Sequence, residues 1–152
     1  MRTVFCFLLV VIICSASNSQ FVKLHGQLKV KGATLVDAKG KEVVLHGMSF
    51  GWHNWWPRFY NEGAVHELAT KWNCTVIRAA MGVEPDSGYL KSPDRSITLM
   101  KNVIDACIKE NVYVIIDWHD HNIHQKEAVD FFSRISKEYG KYAHVIYEIY
   151  NE

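Results

Sequence analysis

The sequence predicts an α/β fold: the N-terminal half of a (β/α)8 TIM barrel, preceded by a β-hairpin. Continuously apolar, β-branched runs begin near Val43, Thr75, Val112 and His144, at intervals of 32, 37 and 32 residues. Segments of helical periodicity separate them. Runs such as 112–117, VYVIID, are apolar throughout rather than alternating, as expected of a parallel sheet covered on both faces. A doubly wound open sheet shares this rhythm, but the loop after the first run, GMSFGWHNWWPRFYNEG, holds no glycine-rich phosphate cradle. A whole barrel takes about 250 residues, so four βα units in 152 residues make its first half, and the chain is expected to continue.

The elements follow in order. Residues 1–19 carry one basic residue, Arg2, then an apolar stretch from Val4 to Cys14, then small residues. That is the layout of a secretory signal peptide, too short for the roughly 20 residues that cross a bilayer. Residues 20–152 are then a secreted, extracellular domain with no membrane attachment after cleavage. LKVKGATLVDAKGKEVVLHG reads as two alternating stretches around Asp37-Ala38-Lys39-Gly40, a hairpin closed by a glycine turn. The first helix is expected to present Val65, Leu68, Ala69 and Trp72 as one stripe. The second presents Leu99, Val103, Ala106 and Cys107, and the third Ala128, Phe132, Ile135 and Tyr139, with Gly140 at its C-terminus. Removal of the leader leaves Cys74 and Cys107, which an oxidising compartment would allow to pair.

Composition narrows the partners. Against 16 Asp and Glu stand 17 Lys and Arg, so no basic field draws nucleic acid, and neutral polymers or small molecules fit better. Polar groups gather where barrel active sites lie, at the C-terminal ends of the strands. Ser49 and a Trp-rich loop follow the first run, Arg78 lies in the second, Asp117 and His119 end the third, and Asn151 and Glu152 end the fourth. Each has a purely structural reading: Arg78 can pair with Asp117 or Glu148, and Asp117 can hydrogen-bond His119. Glu148 reads as a structural layer residue on the same strand face as Glu152.

VIRAAMG, YVIIDWHDH, AVDFFSRISKEYG and above all VIYEIYNE resemble glycoside hydrolase family 5, specifically its secreted endoglucanases. The resemblance runs from about residue 24 to 152. It implies a β-1,4-glucan such as plant cell wall cellulose as substrate, a retaining two-carboxylate reaction, no cofactor or metal, and a monomer when complete. It also implies that Glu152 is the acid/base, Asn151 the residue that hydrogen-bonds the sugar 2-hydroxyl, and Arg78 the arginine that keeps the nucleophile ionised. His119 would line the cleavage subsite, and the nucleophile, a second Glu at strand seven, is absent. Trp52, Trp55 and Trp56 would form a platform for successive glucose rings, with Trp55 and Trp56 the better placed by motif. The sequence departs from the family at Gly51, where many members have histidine, and at Gly82, where an aromatic is frequent. Mannanases and xylanases share this machinery. His119-Asp120-His121 with His124 nearby also permits a metal-dependent barrel hydrolase, and the Trp loop alone a non-catalytic carbohydrate binder.

Overall fold

The structure, a computed structural model, describes residues 20–151. The predicted leader and Glu152 lie outside the described residues. A short helix, α1 (Phe21–His25), leads into an antiparallel pair, β1 (Lys29–Lys31) and β2 (Thr34–Val36). The expected hairpin is present but turns earlier, at Gly32, whose φ of 62° is one that side-chain-bearing residues rarely adopt. The Asp37–Gly40 turn closes a single further bridge, between Val36 and Glu42. Asp37 stabilises it by accepting the Lys39 and Lys41 N–H groups at 2.8 and 2.9 Å.

Four parallel strands follow in the order β3 (Gly47–Ser49), β4 (Val76–Gly82), β5 (Tyr113–His119) and β6 (Val145–Glu148). Consecutive strands are neighbours, each joined to the next through a helix: α2 (Glu62–Thr70), α3 (Pro93–Glu110) and α4 (Gln125–Tyr139). This is the first half of a (β/α)8 barrel. β3 begins four residues after Val43 because Gly47 is where the chain meets β4. A Cβ there would stand 1.7 Å from the Val76 carbonyl oxygen.

Local chemistry explains the helix ends. The Asn61 side chain accepts the Ala64 N–H at 3.0 Å and starts α2. Pro93 and Asp94 open α3, and Asn111 closes it in the left-handed conformation at φ 59°. Gly140 ends α4 in an ordinary helical conformation, so it is not needed there for a left-handed turn. Trp72, expected on the α2 stripe, lies beyond the helix end at Thr70 and is exposed.

Strand alternation divides the sheet into two faces. Ile77, Ala79 and Met81 of β4 and Val114, Ile116 and Trp118 of β5 are buried in one core with Val65, Met100, Val103, Ile104, Phe131 and Ile135 of the helices. The alternate residues Arg78, Asp117, His119 and Glu148 turn the other way, onto what is the interior face of a barrel. Cys74 and Cys107 are both buried within this core and remain free thiols, so no disulfide joins them.

Candidate active site

Strand register assembles the site. Ser49 lies beside Arg78, and Asp117 beside Glu148, so residues far apart in sequence meet at one level of the sheet. Arg78 is the hub. Its Nε and Nη2 donate to Glu148 at 2.7 and 2.8 Å, a two-point fork. Nη2 also reaches Asp117 Oδ2 at 2.8 Å and Asn151 Oδ1 at 2.9 Å, and Nη1 donates to Ser49 Oγ at 3.2 Å. The hydrogen bonds to Glu148 hold the guanidinium charged and hold the Glu148 carboxyl below its ordinary range. The two pairings that the sequence left as alternatives for Arg78 are made simultaneously.

Asp117 is completely buried, and its Oδ2 is 2.6 Å from His119 Nδ1. Burial pushes this carboxyl up to about 6, against the opposing pull of His119 and Arg78. The Asp117 contact fixes the orientation of the His119 ring, whose edge meets Trp52 at 4.6 Å. Asn151 uses its oxygen on Arg78, and its Nδ2 donor is buried with no partner among the described residues. Glu152, the expected acid/base, lies outside the described residues.

The tryptophans do not form the successive platform expected. Trp52 and Trp55 stack on each other at 4.6 Å with planes 1° apart, which leaves no space for a sugar ring between them. The pair therefore offers outer faces only. Trp56 packs against Gly51, and the Arg58 guanidinium lies over its ring at 4.8 Å. Trp52, ranked behind the other two by motif, is the indole that touches His119. Both family departures serve this loop. A Cβ on Gly82 would stand 2.4 Å from Asn54 Oδ1 and 2.9 Å from Trp52 Cε3, and one on Gly51 would stand 2.5 Å from Trp56 Cδ1.

Two residues that the sequence did not single out hold the loop in place. His53, fully buried, accepts the Gly82 N–H through Nδ1 at 3.1 Å and meets Ser96 Oγ through Nε2 at 2.8 Å. The Tyr60 hydroxyl donates to the Ala80 carbonyl at 2.8 Å, with the Gly51 carbonyl 2.9 Å away. Their signal in the sequence is lost among the aromatics around them. The histidines of the H-x-H segment do not converge: His119 turns to Asp117, the His121 ring lies 6.5 Å from Trp52, and His124 turns to Glu84.

A half-barrel with a charged, hydrogen-bonded cluster at its strand ends and indoles beside it has the layout of a (β/α)8-barrel enzyme site. Residues 36–152 match the cellulase family, glycosyl hydrolase family 5, and the chain belongs to it. It is 42% identical over 132 residues to an endoglucanase of Clostridium saccharobutylicum, covering 84% of this chain and 29% of that protein. It is 35% identical over 144 residues to endoglucanase A of Butyrivibrio fibrisolvens, covering 89% of this chain and 34% of that one. Among solved structures, the catalytic domain of Thermobifida fusca endoglucanase Cel5A superposes with a TM-score of 0.81 at 32% identity, over 86% of this chain and 44% of that one. A form of that domain has been solved with cellotetraose. The chain thus spans about a third of the curated relatives it matches.

Proposed function

We propose that this chain supplies the acid/base half of an endo-β-1,4-glucanase, secreted and acting on cellulose by a retaining mechanism. The observation that carries the reading is the Arg78–Asn151 contact at 2.9 Å. It commits the Asn151 oxygen to the guanidinium and leaves the amide donor, unpaired among the described residues, to meet a sugar hydroxyl. Glu152, next in the chain, protonates the glycosidic oxygen and then deprotonates the water that releases the covalent intermediate. Arg78 stabilises the ionised nucleophile, which strand seven of a complete barrel supplies, and His119, oriented by Asp117, lines the cleavage subsite. The Trp52–Trp55 pair borders the substrate path. The endoglucanases among its relatives favour β-1,4-glucan over mannan or xylan. In the full-length protein, Glu152→Gln is expected to lower cellulose hydrolysis by about 10²–10⁴-fold while leaving the first step on an activated aryl glycoside nearly intact, because a good leaving group needs no proton. Parental hydrolysis of cellulose by the variant would refute the assignment.

A further inference from the structure

The loops after β4 and β5 bring together three metal-ligand side chains, Glu84, Asp120 and His124. His124 Nε2 is 2.6 Å from Glu84 Oε1 and 3.4 Å from Asp120 Oδ2, and one ligand atom from each residue lies within 4.8 Å of the other two. Asp120 is only 2% exposed. Its Oδ1 accepts the His121 N–H at 2.8 Å, but its Oδ2 is buried and makes no hydrogen bond. That oxygen lies 3.4 Å from His124 Nε2, in the same group of ligand atoms as the Glu84 carboxylate. His124 Nε2, between the two carboxylates, offers them at most one positive charge, whereas a divalent ion in place of its proton balances both.

We propose that Glu84, Asp120 and His124 form a binding site for a divalent transition-metal ion, with Zn²⁺ the best match. One imidazole nitrogen and two carboxylate oxygens are a zinc-type donor set, poor in oxygens for Ca²⁺. Donors at about 2.0–2.2 Å from a tetrahedral ion stand about 3.3 Å apart, so rotation of these side chains closes the set around the ion. Asn122 Nδ2 donates to Glu84 Oε1 at 2.7 Å and orients that carboxylate. The ion ties the β4–α3 loop to the β5–α4 loop. The tied segment reaches the cleft side of the molecule, where the Tyr150 hydroxyl donates to the His121 carbonyl at 2.8 Å. The site holds loops together and takes no part in bond cleavage.

The test uses the full-length protein, stripped of metal and titrated with Zn²⁺ alone by calorimetry, with Co²⁺ as a spectroscopic probe of coordination. One saturable Zn²⁺ per chain is expected, with tetrahedral visible bands for Co²⁺ and a higher melting temperature on Zn²⁺ addition. His124→Ala and Glu84→Gln, both at accessible positions, should each weaken Zn²⁺ binding at least about tenfold, while His121→Ala should not. No saturable binding at millimolar Zn²⁺ would leave only a His124–Glu84 ion pair and overturn the proposal. Loss of binding in His121→Ala but not in His124→Ala would overturn it as well, by moving the ion to the H-x-H segment. Preferential saturation by Ca²⁺, indifferent to His124→Ala, would do the same.

Discussion

Arg78 answers to four partners, Glu148, Asp117, Asn151 and Ser49, and a lysine in its place has a single point charge to offer them. With Arg78→Lys, the fork on Glu148 is lost and Asn151 is no longer held by its oxygen. In the full-length protein, kcat is expected to fall by about 10²-fold with KM changed by less than about threefold, because the geometry matters most when charge develops. Steady-state kinetics on cellohexaose separates the two, and an equal loss in both constants would make Arg78 a purely structural residue. The sequence made Arg78, Asp117, His119 and Asn151 visible, because polar groups at the ends of apolar strands stand out. It could not choose between Asp117 and Glu148 as partner, since the register that brings both within reach is a property of the sheet. Trp52 was undervalued for a related reason: its contact with His119 depends on Gly82, 30 residues away, being small enough to let it in.

The loop between β3 and α2 is fastened to the sheet by a histidine that must stay neutral. His53 accepts from Gly82 through Nδ1, and its Nε2–H donates to Ser96, whose hydroxyl donates to Ser92 at 2.8 Å. A second proton would set N–H against N–H, and burial, helped by Arg95, lowers this imidazole to about 4. Between about pH 4 and 6.5 the unfolded chain therefore binds more protons than the folded one, so stability rises with pH across that window and is lost as pH falls through it. The full loss is of order 3 kcal/mol. Urea midpoints of wild type and His53→Gln at pH 7 and pH 4.5 check this: the wild type should lose stability more steeply on acidification, and parallel losses would refute it. At this scale the sequence was most legible where periodicity was long. The helices α3 and α4 and the strands β4 and β5 fall where apolar spacing places them. It was least legible at the short α2, where Trp72 continues the helical stripe in sequence but lies past the helix end, beside β3.

The sheet is open at β3 and at β6, and each edge carries an apolar groove along its neighbouring helix. Met48, Phe59, Leu68 and Trp72 line one, between β3 and α2. Ile123, Val129, Phe132 and Ile149 line the other, between β6 and α4. Trp72, Ile123, Val129 and Ile149 are largely exposed, too much grouped apolar surface for a lone soluble unit. In a closed barrel these are the seams where further βα units pair and pack. The reaction has the same requirement, because retaining hydrolysis needs two carboxyl groups roughly 5 to 5.5 Å apart. At the strand ends described, both Glu148 oxygens are taken by the Arg78 fork and Asp117 is fully buried, so the second carboxyl group is expected from outside the described residues. Residues 20–152 produced by themselves are therefore expected to self-associate, to bind a hydrophobic dye such as ANS, and to release no reducing sugar from carboxymethylcellulose. Sedimentation and a reducing-sugar assay beside the full-length protein measure both halves of that expectation. A purified, monomeric preparation of this segment with measurable turnover would show that four βα units already contain a complete catalytic pair.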